Sequence, residues 1–417
     1  MDTYSLIAVV IAATAVIGYL NHLIDRLPTS VGIMFGATVL ALSFMLLQNM
    51  GFPSLSSFTE RIVAHIQFHN LLMNGLLGLL LFAGSMTIDF ELLRSNLTTI
   101  ATLASFSVIT STLLLGTAVY YLLPLFHVAM PFLYCLLFGA LISPTDPIAV
   151  LASFKKIGAP KKLHVIVAGE SLFNDGISIV IFITLYHLTL LNEPVTLQHI
   201  SYLFFNQAIG GLLFGLLLGV TSNFLIRNTT VQIAALITIA IATSGYTLAN
   251  TLGLSGPLAM VIAGIFIGNK NRKNSRDNKT NQTLTLIWEL IDDILNAILF
   301  LLLGFELIII HSNYSNILAG LTCIPLALAI RYITVAIPTY FLFTKKTRPK
   351  KLNATLTWGG LRGGLAVALA LALPNSPFRN SILTMTFCIV AFAVIVQGMT
   401  IQRIFSTSTP DKKHTTS

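Results

Sequence analysis

Long apolar runs follow one another through almost the whole chain, and this pattern constrains its fold more than any other feature. A helix needs roughly 20 mainly apolar residues to cross a bilayer. Only 9% of the 417 residues are charged, whereas a soluble protein carries about a quarter. The runs are continuous rather than alternating in twos, which favours helices over a barrel. The sequence therefore predicts an all-α polytopic membrane protein.

The apolar runs divide into thirteen predicted membrane spans. Because the three cysteines are scattered among these runs, they give neither a disulfide framework nor a zinc-binding spacing. The predicted spans are 3–22, 29–48, 68–88, 97–123, 131–152, 163–192, 199–226, 230–250, 254–269, 284–311, 315–343, 354–373 and 379–404.

Lysine and arginine fall almost entirely on one side of this topology. Of the 24 basic residues, 20 lie in loops after odd-numbered spans or in the C-terminal tail. Since positive charge stays in the cytoplasm, we expect the N-terminus outside, the C-terminus inside, and a bacterial inner membrane as the location. The formal charge of +9 thus reflects topology and not nucleic-acid binding. Residues 405–417 are expected to form a short cytoplasmic tail.

Two predicted spans are interrupted at a charged residue. The fifth contains Pro144 and Pro147 around Asp146, and proline removes a backbone donor and frees a carbonyl one turn back. The twelfth contains WGGLRGG at residues 358–364, where glycines surround Arg362 and weaken the helix. The two spans run in opposite directions because they are seven apart. This arrangement is typical of transporters with inverted repeats and broken helices at the midplane.

Three acids lie inside apolar stretches: Asp146, Glu170 and Asp175. A carboxylate at the bilayer centre costs several kcal/mol, so such residues are functional by default. Ser171 and Asp175 are four residues apart and share one helix face, while Glu170 and Asn174 share the adjacent face.

These residues supply the ligands that a hard monovalent cation prefers. Asp175 offers a negative charge, Ser171 a hydroxyl, and Thr145 a hydroxyl together with freed carbonyls. Asp146 is expected to neutralise the positive helix ends of its break. Burial in a low dielectric favours a protonated carboxyl, so Asp175 holds either a proton or a cation. Glu170 and Arg362 are predicted to form a buried structural ion pair.

The motifs resemble those of the monovalent cation/proton antiporter family, which includes sodium/proton exchangers. The matching segments are residues 139–150 (GALISPTDPIAV), 169–176 (GESLFNDG) and 359–363 (GGLRG), with weaker matches at 288–290 and 296–304 and at 397–400 (QGMT).

This resemblance implies the antiporter fold, in which unwound helices cross, and a homodimer. It places the ion-transporting core at about 68–192 and in part of 284–404, and dimerisation helices at about 1–48 and 199–269. It also implies electroneutral one-for-one exchange of Na+ or Li+ for H+ by alternating access, with Asp175 as carrier and Ser171 and Thr145 as ligands. Asn174 and Asp146 would organise the site.

The chain departs from the family at residues 81–84 (LFAG), where Ala83 replaces an acid that many members carry. Glu289, Asp292 and Asp293 form an acidic turn near one end of the tenth span, either as the cytoplasmic mouth of a cation funnel or as an interfacial turn. A second buried pair between Arg331 and Glu306 is left open.

Two other functions remain as alternatives. A cation channel would need a continuous pore with rings of ligands, but the charges concentrate at one locus. An intramembrane aspartyl protease would use two aspartates on neighbouring spans, yet the proline-flanked break fits ion coordination better. We therefore expect no enzyme and no cofactor, with monovalent cations, protons and lipids as partners. The choice among Na+, Li+ and K+ stays open.

Overall fold

The computed structural model describes residues 3–24, 29–50, 71–191, 193–227, 229–273, 278–306, 313–343 and 352–400. These ranges are helical over most of their length, and the extended backbone pairing found within them is one isolated bridge between Asp146 and Leu361. The predicted all-α class is confirmed. The tail at 405–417 and the side chain of Glu306 lie outside what the structure describes.

Seventeen α-helices are numbered here in chain order within the described ranges. They are α1 (Thr3–Ile24), α2 (Thr29–Asn49), α3 (Leu77–Met86), α4 (Phe90–Ser95), α5 (Leu97–Leu122), α6 (Phe132–Ile142), α7 (Ile148–Ile157), α8 (Lys161–Leu190), α9 (Leu197–Ile226), α10 (Val231–Ala240), α11 (Tyr246–Thr251), α12 (Gly256–Lys273), α13 (Asn278–Glu306), α14 (Tyr314–Leu342), α15 (Leu352–Trp358), α16 (Gly364–Leu371) and α17 (Arg379–Phe392).

Short turns of other helical types extend several of these elements. A π-helical turn, Leu72–Leu76, leads into α3, and another, Ile241–Gly245, joins α10 to α11. A third, Ala393–Gln397, continues α17. Within the described residues, each predicted span falls mainly on helix, and the fifth and twelfth also contain a break. Six of these segments are long and apolar enough on their own to cross a membrane, among the described residues. The chain is an integral, multi-pass membrane protein, and the number of thirteen crossings stays a prediction.

The two predicted interruptions are real breaks. The fifth predicted span divides into α6 and α7, which leave residues 143–147 unwound. The twelfth divides into α15 and α16, with residues 359–363 between them. Proline at 144 and 147 withholds two backbone donors from the first break. Glycine at 359, 360 and 363 lets neighbouring atoms approach the second break closely.

Helix α8 runs through the interior of the molecule and carries most of the candidate site. Over the most apolar 18 residues of α8, 72% of the residues are buried. The corresponding stretch of α9, a helix of the same length, has 28% of its residues buried. Helix α8 packs on α5, α6 and α12, whereas α9 packs on α12 through Gly211 and Gly215 and exposes large apolar side chains outward. The polar residues of α8 are therefore held away from lipid, and the outer face of α9 is suited to it.

Candidate cation-binding site

The two breaks touch each other in the middle of the molecule. The backbone N–H of Asp146 donates to the carbonyl oxygen of Leu361 over 2.8 Å, which forms the isolated antiparallel bridge. Non-helical backbone at membrane depth is tolerated only where its polar groups find partners inside the protein. This contact therefore ties the two unwound segments into one crossing.

Charged side chains satisfy the helix ends of the first break. Arg362 donates through Nη1 to the carbonyl oxygens of Ser143 at 2.5 Å and Pro144 at 2.8 Å, just beyond the C-terminus of α6. The carboxylate of Asp146 accepts from the N–H of Ile148 at 2.9 Å, at the N-terminus of α7. A cation thus lies at a negative helix end and an anion at a positive one, which is the favourable arrangement for both.

The second break depends on glycine for close approach. A Cβ on Gly363 would collide with the carboxylate of Asp146. A Cβ on Gly360 would lie 3.0 Å from Arg331 Nε and 3.0 Å from the Thr145 methyl group. Residue 363 has φ −117°, which any residue adopts. The glycine there is needed for space and not for its backbone angle.

Glu170 is paired with Arg331. Its Oε1 accepts from Arg331 Nη2 at 2.9 Å and from Asn174 Nδ2 at 3.1 Å, and Glu170 and Arg331 are each 2% exposed. The predicted ion pair between Glu170 and Arg362 is therefore wrong.

The geometry of the two arginines explains this correction. Arg362 lies in the unwound segment directly over the end of α6, where freed carbonyls accept its hydrogen bonds. Arg331 lies on α14, which packs against α15 and brings the guanidinium to Glu170 across 161 residues of sequence. The sequence places both arginines at membrane depth, but its spacing cannot decide which one reaches the acid.

Thr145, Ser171 and Asn174 form a continuous polar group with Glu170. Ser171 Oγ donates to the carbonyl oxygen of Thr145. Asn174 Nδ2 donates to Thr145 Oγ1 at 2.8 Å, and Asn174 Oδ1 accepts from the Thr145 N–H at 3.4 Å. Both donor hydrogens of the Asn174 amide are thus used, one on Thr145 and one on Glu170. Asn174 fixes the first break to α8.

Asp175 differs from the other two acids of the crossing. Its side chain is partly exposed, and within the described residues no donor hydrogen-bonds to its carboxylate. The charges of Asp146 and Glu170 act on it. Asp175 lies one turn beyond Ser171 on the same face of α8.

The charges at the crossing do not cancel. Three carboxylates, Asp146, Glu170 and Asp175, meet two guanidiniums, Arg331 and Arg362. Arg331 neutralises Glu170 directly. The guanidinium of Arg362 contacts the carbonyl oxygens of Ser143 and Pro144, and among the described residues no carboxylate forms an ion pair with it. The three carboxylates exceed the two guanidiniums by one negative charge, and Asp175 is the carboxylate with no hydrogen-bond partner among the described residues.

A small cavity of about 10 Å³ adjoins the polar group. Its lining includes Thr145, Glu170, Ser171, Arg331 and Gly360. Within the described ranges, no group of three or more histidine, cysteine, aspartate or glutamate side chains is arranged to hold a metal ion. Asp175 is not among the lining residues of this cavity. The hydroxyls of Thr145 and Ser171 and the carbonyl of Thr145 are oxygens that suit a hard cation better than a transition metal.

The helix that lacks the family's acid lies close to α8. Ala83 is fully buried in α3, and a Cβ on its neighbour Gly84 would lie 3.5 Å from Leu172. An acid at position 83 would therefore stand on a helix that contacts α8 one turn before Asp175.

The acidic turn of α13 lies within electrostatic reach of the crossing, since the charge of Asp146 acts on Asp292. Asn296 Nδ2 donates to the Asp292 carboxylate at 3.0 Å, and Asp293 is exposed. Its two readings, funnel mouth and interfacial turn, stay open.

Two buried polar side chains donate to carbonyl oxygens at the second break, and the sequence offers Arg331 only as a possible partner of Glu306 and gives Gln397 no role. Arg331 Nε donates to the Leu356 carbonyl oxygen at 3.4 Å, and Gln397 Nε2 donates to that of Trp358 at 3.1 Å. Both carbonyls lie in the last turn of α15, where helical partners are missing. The signal for Arg331 was its charge inside a span, and the signal for Gln397 was its place in the weaker QGMT segment.

The fold and this crossing define a membrane transporter with two broken helices that meet at an acidic site. The transmembrane model of the sodium/hydrogen exchangers matches residues 6–407. The chain belongs to the sodium/hydrogen exchanger family, a family of transporters and not of enzymes.

Characterised relatives and a solved structure agree with this assignment. The chain is 40% identical over 401 residues to the Na+/H+ antiporter NhaP of Pseudomonas aeruginosa, covering 95% of both proteins. It is 32% identical over 386 residues to the Na+/H+ antiporter NhaH of Halobacillus dabanensis, covering 90% of both. The sodium proton antiporter MjNhaP1 of Methanocaldococcus jannaschii has the same fold, with a TM-score of 0.74 at 17% identity over 98% of this chain and 99% of that one.

Proposed function

We propose that this protein exchanges Na+, or Li+, for H+ across the membrane, one for one, with Asp175 as the carrier. The observation that carries the proposal is the partly exposed Asp175 carboxylate, which has no hydrogen-bond partner among the described residues and lies beside fully partnered polar groups. A charged group at membrane depth needs compensation. A proton or a cation supplies it.

The neighbouring oxygens complete the proposed cation site. Ser171 and Thr145 already contact each other, and both hydroxyl oxygens retain lone pairs for an ion. Asn174 and Asp146 organise the site: the amide holds Thr145 against α8, and the carboxylate holds the start of α7. Neither Asn174 nor the Glu170–Arg331 pair needs to change charge during exchange.

The charge balance of the crossing supports electroneutral exchange. With Asp175 ionised the crossing has one uncompensated negative charge, and one H+ or one Na+ neutralises it. Either occupied form is the less costly one to move through a low-dielectric interior. The empty, charged form is held back, so the two ions exchange and do not leak.

Alternating access requires two groups of helices that move against each other. The proposed transport core comprises residues 68–192 and part of 284–404, and the proposed dimerisation part comprises 1–48 and 199–269. The exposed apolar face of α9, with Leu213, Leu217 and Phe224, supports a contact with lipid or with a second copy. We also propose an inner-membrane location with the N-terminus outside, on the distribution of basic residues.

The test is Na+-driven proton movement in proteoliposomes containing purified protein. Asp175→Asn should abolish the movement and leave the melting temperature in detergent near that of the wild type. The matched control is Asp89→Asn, the same chemical change at a helix N-cap outside the crossing, where the carboxylate accepts from Glu91 and Leu92 N–H groups. That variant should transport normally.

Two results would decide against the proposal. Wild-type exchange in the Asp175→Asn protein would remove Asp175 as carrier. A steady current through the wild-type protein, carried by Na+ without proton movement, would favour the channel alternative.

A further inference from the structure

Trp358, the last residue of α15, forms two hydrogen bonds with side chains that follow α17. Gln397 Nε2 donates to the carbonyl oxygen of Trp358 at 3.1 Å, and the Trp358 indole Nε1 donates to Thr400 Oγ1 at 3.0 Å. Thr400 Oγ1 in turn donates to the Val396 carbonyl oxygen at 2.6 Å. We call Trp358, Gln397 and Thr400 the Trp358 latch.

The latch lies at a structurally sensitive place. Trp358 is the last residue of α15, and the unwound segment 359–363 with Arg362 follows directly. A helix C-terminus leaves carbonyls without backbone partners, and Gln397 supplies a partner for one of them. The latch therefore sets where the helix ends and where the unwound segment begins.

The π-helical turn Ala393–Gln397 positions the side chains of the latch that follow α17. Such turns add a residue to one helical turn, and they concentrate at functional sites. Gln397 and Thr400 are three residues apart, so they lie on the same face of the helix. Gln397 hydrogen-bonds the Trp358 backbone, and Thr400 hydrogen-bonds the Trp358 indole ring.

Gln397 also faces the charges of the crossing. It is 2% exposed and lines a small cavity of about 10 Å³ together with Arg331, Gly360 and Arg362. The other lining residues are apolar side chains of α14 and α17, and no acid is among them. A charge placed at position 397 would act on both guanidiniums at short range in a low dielectric.

We infer that Gln397 is a positioning residue for ion exchange: through Trp358 it holds the second break in the register that lets Arg362 reach the end of α6. This inference rests on the proposed function and adds a residue to its machinery. Arg362 is anchored to Ser143 and Pro144, on the other side of the crossing. A shift in the start of the segment would move its guanidinium away from those carbonyls.

Gln397→Met tests the inference by removing the donor while keeping the length of the side chain. The exchange rate in proteoliposomes should fall about tenfold, because a buried carbonyl loses its partner and the break relaxes. The matched control is Ser381→Ala, which removes another buried hydrogen bond between α17 and α14, to Asn316 at 3.0 Å, near the start of α17. It should lower the melting temperature without the same loss of rate.

Two charged variants are measured by the pH dependence of exchange, which a loss of stability alone would not shift. Gln397→Glu adds a negative charge beside the crossing, so Asp175 holds its proton more firmly and the activity profile should shift to higher pH. Gln397→Lys adds a positive charge and should shift the profile to lower pH. Each shift should be on the order of half a pH unit.

The inference is overturned by Gln397→Met exchanging at the wild-type rate, or by Gln397→Glu and Gln397→Lys shifting the profile in the same direction. If Gln397→Met fails to fold, the direction of the pH shifts in Gln397→Glu and Gln397→Lys still tests the inference. Wild-type and Asp175→Asn proteins measured in the same vesicles keep the proposed function separate: if they behave as expected while the Gln397 variants do not, only the latch fails.

Discussion

The two breaks at the centre of this protein are built from different residues and carry opposite charges. The first, at 143–147, is made by prolines and carries Asp146, while the second, at 359–363, is made by glycines and carries Arg362. Each supplies what the other lacks. Arg362 satisfies carbonyls that end α6, and Gly363 leaves the space in which the Asp146 carboxylate lies.

This difference shows that the crossing is one unit and not two similar halves. Proline frees carbonyl acceptors, which need a cation or donor nearby. Glycine provides room, which allows the acid to sit against the backbone. Asp146, Glu170, Arg331 and Arg362 all have hydrogen-bond partners in the protein, whereas the Asp175 carboxylate has none among the described residues.

The largest expected effect is on stability and comes from Arg331→Met. This change leaves the Glu170 carboxylate buried without its cation, which should destabilise the protein by about 3–5 kcal/mol. Melting temperature in detergent is the measurement. The double variant with Glu170→Gln should recover part of the loss, and an unchanged melting temperature in Arg331→Met would show that the pair contributes nothing.

Arg362→Met should have a smaller effect on stability, since Glu170 keeps its partner. The loss is that of charge-assisted hydrogen bonds to the end of α6, about 1.5–3 kcal/mol. Exchange should fall strongly because the two breaks lose their charged contact. Comparing the two arginine variants tests which arginine is the partner of Glu170. A larger loss of stability in Arg362→Met than in Arg331→Met would support the predicted Glu170–Arg362 pair instead.

Gly363→Ala tests whether the second break needs space at this residue. The added methyl group meets the Asp146 carboxylate, so the crossing must shift, at about 1–3 kcal/mol, and exchange should fall. Gly75→Ala is the matched control, since among the described residues its added Cβ would meet Leu71 alone, at 3.8 Å. Equal exchange rates in the two variants would mean that the Asp146 carboxylate can move away from the added methyl group without affecting exchange.

The smallest expected effect is far from the crossing, in the connection between α8 and α9. Glu193 accepts from His199 Nε2 at 2.6 Å and His187 Nδ1 at 2.9 Å. The hydrogen bonds from His199 and then His187 lower the pKa of Glu193. A lowered carboxyl pKa contributes stability that is present above the unfolded-state pKa and is lost as pH falls through the folded-state value.

Glu193→Gln should therefore melt slightly below the wild type at neutral pH, and the gap should close as pH falls below about 4. Glu289→Gln, at an exposed glutamate of α13, serves as control. A gap that widens in acid would contradict the assigned cause.

Much of this architecture follows from the sequence alone. Apolar runs locate the helices, and proline and glycine locate both breaks, because these signals are local. Ser171, Asn174 and Asp175 follow from helical spacing on α8. The partner of Glu170 does not, because two arginines at similar depth compete for it and the choice depends on how α14 packs. The hydrogen bond from Gln397 to Trp358 likewise cannot be predicted from the sequence, because it joins the π-helical turn after α17 to the end of α15 across 39 residues.

The most direct test of the account is the charge moved in each exchange cycle. Na+-driven proton flux is measured in proteoliposomes with the membrane potential clamped at zero, at negative and at positive values. A single uncompensated carboxylate at Asp175 predicts one proton per sodium ion, the same rate at every potential and no current. A rate that rises with potential, or more than one proton per sodium ion, would contradict it.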